Sequence, residues 1–257
     1  MAETERPLVA SHRGRNPNFQ ESAADILSRL MGNLHLKEKD LVRLLVRRDL
    51  PSKVIEAVAA HPVAERSYAV RLLLARHPHT PRMISLTALK HLYLFDLVGA
   101  ALAPAAPADV RRAAEEAVLK RMGSLPRGEK ITLARRGPGR VAAALMITSD
   151  RLLIAAALDN PYLTEAQLIQ VLSHRRIPSQ PVEILARHPK WSRRYQLRLA
   201  MIRHPLTPFY AVLGWLADLA VGDLRQVALD SAMPDPVRRY ILAHCAARSA
   251  SPPRRSN

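Results

Sequence analysis

The chain has 257 residues, 48% of them hydrophobic, which is enough to bury a sizeable core. Its formal net charge of +17 and pI of about 11.0 make an anionic partner the first expectation, nucleic acid or acidic lipid above all. The single cysteine, Cys245, excludes an intrachain disulfide framework and a cysteine-rich metal site, and fits a reducing compartment, the cytoplasm by default.

Twenty prolines, 9 glycines and 4% aromatic residues suit short helices stopped by prolines far better than a sheet, so the expected class is all-α. Residues 1–15 carry no periodicity and read as a disordered basic arm. Asn16-Pro17-Asn18 with Glu21 then has the form of a cap and capping box opening a helix to about Met31. Short helices follow near 37–48, 52–60, 64–76, 82–92 and 94–103, and a longer one over 107–122.

The stretch HPVAERSYAVRLLLARHPHTP, His61 to Pro81, returns as HPKWSRRYQLRLAMIRHPLTP, His188 to Pro208, at an offset of about 127 residues. The gap-free match runs from Asn33–Arg112 to Asn160–Arg239 at roughly 40% identity, so the chain reads as a tandem duplication. Its repeated turns have a mechanism. In Arg76-His77-Pro78-His79-Thr80-Pro81, positive residues suit a helix C-terminus and Pro78 stops the helix. Thr80 is expected to cap the next helix, with Pro81 at its first position, and Thr207-Pro208 to do the same.

The segment Leu125 to Thr148 has no counterpart in the first half and is expected to add two helices broken at Gly137-Pro138-Gly139. Thr164 and Gln167 form a further capping box. Helices this short must bury their apolar stripes on neighbours, most simply as serial antiparallel pairs, an α-α superhelix. PADVRRAAEEAVLKRM (Pro107 to Met122) and PDPVRRYILAHCAAR (Pro234 to Arg248) resemble the second helix of HEAT-type repeats, and the Asn-Pro and His-Pro turns resemble leucine-rich-repeat-variant solenoids. The resemblance implies an architecture and no particular activity. The expected organisation is an arm at 1–15, a first helical-repeat half at 16–124, an inserted basic helical linker at 125–148, a second half at 149–248 and a disordered tail at 249–257.

Chemistry-bearing patterns are few. His77-Pro78-His79 is the nearest approach to a metal pair, with no paired cysteine, HExxH or carboxylate cluster to complete it, so neither metal nor cofactor is expected. Gly137-Pro138-Gly139, between Arg135, Arg136 and Arg140, reads first as an exposed interhelical turn and second as a phosphate cradle. Asp109 and Asp235 fall at helix starts, and Asp96 and Asp223 are expected to cap helices, which leaves no acid–base constellation.

The basic residues carry the functional signal. From His174 to Arg203 there are about eight arginines and lysines against the single acid Glu183. Arg66, Arg71, Arg193 and Arg198 are duplicated and so read as packing residues. The candidate anion-binding residues are those that the first half does not reproduce: Arg135, Arg136, Arg140, Arg176, Lys190 and Arg194, with Trp191 as a stacking or anchoring aromatic. The expected function is a non-enzymatic, cytoplasmic helical-repeat protein that binds nucleic-acid backbone. The alternatives are a scaffold for an acidic client protein and, third, an enzyme acting on DNA bases.

Overall fold

The computed structural model of the chain describes residues 22–32, 36–174, 176–230 and 233–250. The expected arm, the Asn16-Pro17-Asn18 cap and most of the tail lie outside them. Every regular element among the described residues is helical. Residue contacts divide the chain into two compact units meeting between Ala117 and Val118.

Unit 1 holds α1 (Ala23–Gly32), α2 (Glu38–Val46), α3 (Ser52–Ala60), α4 (Pro62–Arg66), α5 (Tyr68–Arg76), α6 (Arg82–Lys90), α7 (Leu94–Leu102) and most of α8 (Ala108–Arg121). Several of its helices start where the sequence supplies a cap or a proline. Ser67 accepts the Val70 N–H at 3.1 Å to open α5, and Pro51 stands at the N-cap of α3. Leu41, Leu44 and Leu45 of α2 and Val54, Ile55 and Val58 of α3 lie at helical spacing and are all buried. Helix α2 packs on α5, α5 on α6, and α1 on α3.

Unit 2 continues through a 3₁₀ turn (Met122–Ser124) into α9 (Arg127–Arg136), α10 (Gly139–Leu145), α11 (Arg151–Leu158), α12 (Glu165–Leu172), α13 (Ser179–Arg187), α14 (Tyr195–Arg203) and α15 (Phe209–Trp215). A second 3₁₀ turn (Leu216–Asp218) leads to α16 (Val221–Ala228) and α17 (Asp235–Ala250). Alternate helices are neighbours: α11 packs on α9 and α13, while α12 packs on α10 and α14, and α14 on α16. Residues 125–148 supply the two expected helices, α9 and α10, and belong to unit 2, with Leu133, Ala134, Val141 and Ala142 buried.

Helices α3 and α13 begin at Ser52 and Ser179, and α5 and α14 run over Tyr68–Arg76 and Tyr195–Arg203, so both pairs are 127 residues apart. Thr164 and Gln167 make the expected capping box on α12, with bonds of 3.3 and 3.0 Å. Thr80 and Thr207 depart from expectation. Pro81 and Pro208 occupy the N-cap positions themselves, so neither threonine caps. Thr207 instead donates to the Met201 carbonyl of the preceding helix, a second bond on an acceptor that the His204 N–H already reaches at 2.8 Å.

Gly137-Pro138-Gly139 is buried, not an exposed turn. The Asn160 amide, itself fully buried, donates to the Ala134 and Gly137 carbonyls at 2.8 and 2.9 Å, and a Cβ on Gly139 would come within 2.1 Å of the Tyr162 carbonyl. No described residue has positive φ, so the turn lacks the alternating backbone of an anion nest and the cradle reading falls with it. Asn160→Ala strands both carbonyls and also loses the bond from the Tyr162 N–H to its Oδ1. A loss of about 3 kcal/mol in urea unfolding is the expected result, because buried groups left without partners cost about 1–3 kcal/mol each.

Candidate nucleic-acid interface

Three turns of unit 2 are tied side by side by buried polar bonds. The Asn160 bonds join the α11–α12 turn to the end of α9, and the Trp191 indole N–H, in the α13–α14 turn, donates to the Leu158 carbonyl at 2.9 Å. One edge of the unit is therefore made of the α9–α10, α11–α12 and α13–α14 turns. Arg135 and Arg136 end α9, Arg140 lies in the first turn of α10, and Lys190, Arg193 and Arg194 fill the α13–α14 turn; all six are exposed. The two groups stand two helix spacings apart, on the order of 20 Å.

Most acids on this edge are engaged elsewhere. Arg198 holds Asp218 at 2.8 Å, Tyr195 donates its hydroxyl proton to Asp223 and Glu165 accepts the Leu197 N–H at 3.2 Å; Asp159, 65% exposed and 3.9 Å from a neutral His188, is the exception and sets one negative charge between the two basic groups. Among the described residues, Arg135, Arg136, Arg193 and Arg194 have no carboxylate partner. Arg127, at the other end of α9, is by contrast held by Asp150 through two bonds of 2.5 and 2.9 Å. That guanidinium pushes the Asp150 carboxyl down to about 2.

The structure corrects two of the candidate residues. Arg176 lies in the α12–α13 turn, at the far end of α12 from this edge, and α12's 8 residues at ~1.5 Å each put it about 12 Å away. Trp191 is buried at 3% exposure and presents no face for stacking. It anchors the turn through its N–H while the Lys190 ammonium sits 4.2 Å above its ring, so the aromatic shapes the edge from beneath. Sequence reasoning also missed a residue. Arg193 was set aside as a packing residue because Arg66 repeats it, yet both are exposed. Arg198 keeps that reading, its side chain being only 16% exposed and paired with Asp218. No sequence signal separates the two duplicated arginines short of knowing which helix face meets a neighbour.

The tyrosines repeated in the two halves make a matched clamp. The Tyr68 hydroxyl donates to Asp96 at 2.5 Å and accepts the Tyr93 N–H at 3.0 Å; the Tyr195 hydroxyl donates to Asp223 and accepts the Ala220 N–H at 3.2 Å. Asp96 and Asp223 therefore serve as tyrosine acceptors and make no side-chain cap bond. Burial first, then Asp96, raises the Tyr68 pKa; the bond to Asp223 raises that of Tyr195. Asp109 and Asp235 pair with Arg82 and Arg238 at 3.0 and 3.6 Å.

The histidines do something other than offer charge to helix ends. His61, His77, His174, His188 and His204 each accept, at Nδ1, the N–H of the residue two places on, over 3.2–3.4 Å. An imidazole that accepts at Nδ1 carries its proton on Nε2, and protonating Nδ1 breaks the turn. His77 is further committed through Nε2 to the Arg47 carbonyl at 2.7 Å, so both of its ring nitrogens are taken and His77-Pro78-His79 is no ligand pair. No group of three His, Cys, Asp or Glu among the described residues could hold one.

Burial lowers the pKa of His77, His188 and His204, and for His188 it outweighs the opposing pull of Asp159 at 3.9 Å. The unfolded chain therefore takes up protons first. Stability from these groups is full above their unfolded pKa of about 6.5 and is lost as pH falls below it. Asp49 and Asp150, held by Arg47 and Arg127, add a second loss only as pH falls below about 3.8. A melting-temperature profile should be flat between about pH 7 and 9, show both acid declines, and fall again above about pH 10, where the unfolded chain's tyrosines ionise before Tyr68 and Tyr195. His188→Asn, which can accept the same N–H as Asn160 does, should shrink the first decline and leave the second.

No known protein family, curated protein or solved structure matches the chain. No helix among the described residues is long and apolar enough to cross a membrane.

Proposed function

We propose that the protein is a non-enzymatic α-helical repeat protein whose two halves are copies of one helical array, and that the turn edge of unit 2 docks on an anionic polymer, nucleic-acid backbone first. The duplication is supported by the shared helix starts and by the tyrosine clamps, in which the Tyr68–Asp96 pair recurs as Tyr195–Asp223. Serial packing of alternate helices in unit 2 supports the superhelical, HEAT-like reading of that unit.

One observation carries the binding assignment: Arg135, Arg136, Arg193 and Arg194 are exposed on one edge with no carboxylate partner among the described residues, and of the acids beside them Asp218, Asp223 and Glu165 are already engaged, leaving Asp159 alone against them. Guanidinium forks suit phosphate, and with Trp191 buried the exposed aromatics of this edge are Tyr162 and Tyr195, the latter tied through its hydroxyl to Asp223, which is too little for a stacking platform, so recognition is mainly electrostatic.

The test is affinity for random-sequence duplex, single-stranded DNA and structured RNA over a series of salt concentrations. Four or five phosphate contacts give a log–log slope of about −4 on duplex, hence a loss of roughly 10² in affinity between 50 and 200 mM salt. Absence of binding near physiological salt, together with a co-purifying acidic protein that survives nuclease, turns the reading to a protein scaffold.

A further inference from the structure

At the 127-residue offset, three positions differ between the units in a coordinated way around an arginine that both keep. Where unit 2 has Trp191 and Trp215, unit 1 has Ala64 and Ala88; Arg198 corresponds to Arg71, and Asp218 to His91. In unit 2 both indoles are buried, at 3% and 7% exposure. The Arg198 guanidinium lies 5.9 Å from the Trp215 ring centre while it holds the Asp218 carboxylate at 2.8 Å. Ring, guanidinium and carboxylate form one closed set.

Unit 1 has the frame of that set without its filling. Ala64, Ala88, Arg71 and His91 line a recess of about 510 Å³ whose remaining apolar wall includes Leu74, Met83 and Ile84. A volume of this size falls within the ~300–1,000 Å³ of small-ligand sites. Arg71 is the polar group at hand. Its Nε reaches the Ser67 carbonyl at 3.4 Å, and no carboxylate among the described residues pairs with its fork, since His91 stands where unit 2 has Asp218.

We propose that this recess in unit 1 binds a planar aromatic carboxylate, its ring resting on Ala64 and Ala88 where unit 2 packs indoles, its carboxylate on the Arg71 fork where unit 2 packs Asp218. The apolar wall supplies ring burial, the guanidinium both covers the ring and takes the acid bidentately, and the ligand completes in trans what unit 2 completes within its own chain. Glu65, exposed at the rim, opposes a bare acid. This site shares no residue with the cationic edge of unit 2, so either reading stands or falls without the other.

The probes are indole-3-acetate and indole, titrated into the full chain by calorimetry and by methyl NMR of Met83, which is 73% exposed and lines the recess. Indole-3-acetate should bind one per chain with a Kd below about 1 mM, shift the Met83 methyl, and bind at least about tenfold tighter than indole. Arg71→Gln should remove that preference by weakening the acid about tenfold and leaving indole within about twofold, and Glu65→Gln should tighten the acid. Ala64→Trp with Ala88→Trp rebuilds the unit 2 filling and should abolish binding while raising the melting temperature. The proposal is overturned if indole-3-acetate does not saturate, if the Met83 methyl does not move, if acid and indole bind alike in the wild type, or if the double tryptophan variant still binds. Should that variant fail to fold, the Met83 shift and the Arg71→Gln comparison decide the matter in chains that do.

Discussion

Trp191→Ala lowers the stability of unit 2 by about 3–5 kcal/mol, the range for removing a large aromatic from a core. The side chain is 3% exposed, and its N–H is bonded to the Leu158 carbonyl at the end of α11. Its removal therefore leaves a cavity between the α11–α12 and α13–α14 turns and an unmet carbonyl, two penalties that add. Trp191→Phe separates them, keeping most of the ring and losing the bond, for a smaller cost of about 1 kcal/mol plus repacking. Chemical denaturation followed by Trp215 fluorescence reads the change within unit 2 itself. At a denaturant concentration where the variant stays folded, its affinity for nucleic acid should remain within about threefold, because the contacts assigned to binding are Coulombic and independent of the ring. A collapse of affinity with stability unchanged would instead make Trp191 a stacking residue.

Much of the helical plan was legible in the sequence because prolines and caps are local signals. The Thr164–Gln167 box of α12 and the break at Gly137-Pro138-Gly139 are each written within four residues of the place where they act, whereas the single helix expected over 64–76 is cut at Ser67 into α4 and α5. Errors arose where the deciding partner is distant. Gly137-Pro138-Gly139 is punctuation in sequence, but its burial depends on Asn160, more than 20 residues on, and on the Tyr162 carbonyl crossing Gly139. Asp96 looks like a cap until Tyr68, 28 residues earlier, is seen to claim its carboxylate. The histidines were expected to lend positive charge to helix ends, which is sound for an exposed terminus. Burial reverses it, keeping His77, His188 and His204 neutral so that Nδ1 can close the turn. The candidate edge was half legible: charge density pointed to its residues, but which of them share an edge follows from the direction of α12 and α13, and that separated Arg176 from the others.

Reversing Arg135, Arg136, Lys190, Arg193 and Arg194 to Glu should abolish measurable nucleic-acid binding near physiological salt and leave the fold intact. Each position is exposed, and none makes a cap bond or an ion pair among the described residues, so each substitution should cost no more than about 0.5 kcal/mol, with Lys190 somewhat more for its lost contact to the Trp191 ring. Binding responds differently, because every reversal removes one phosphate contact and adds one repulsion. Single reversals should each flatten the salt slope by about one unit. Arg176→Glu is the internal control. It changes the net charge of the protein by the same amount but sits at the far end of α12, so its effect on affinity should be well below that of Arg135→Glu or Arg194→Glu at 150 mM salt, where screening acts over about 8 Å. Equal losses from all single reversals would mean that net charge alone attracts the polymer and that the turn edge is no site. Unchanged binding in the fivefold variant, with an unchanged melt, would remove the edge from consideration altogether.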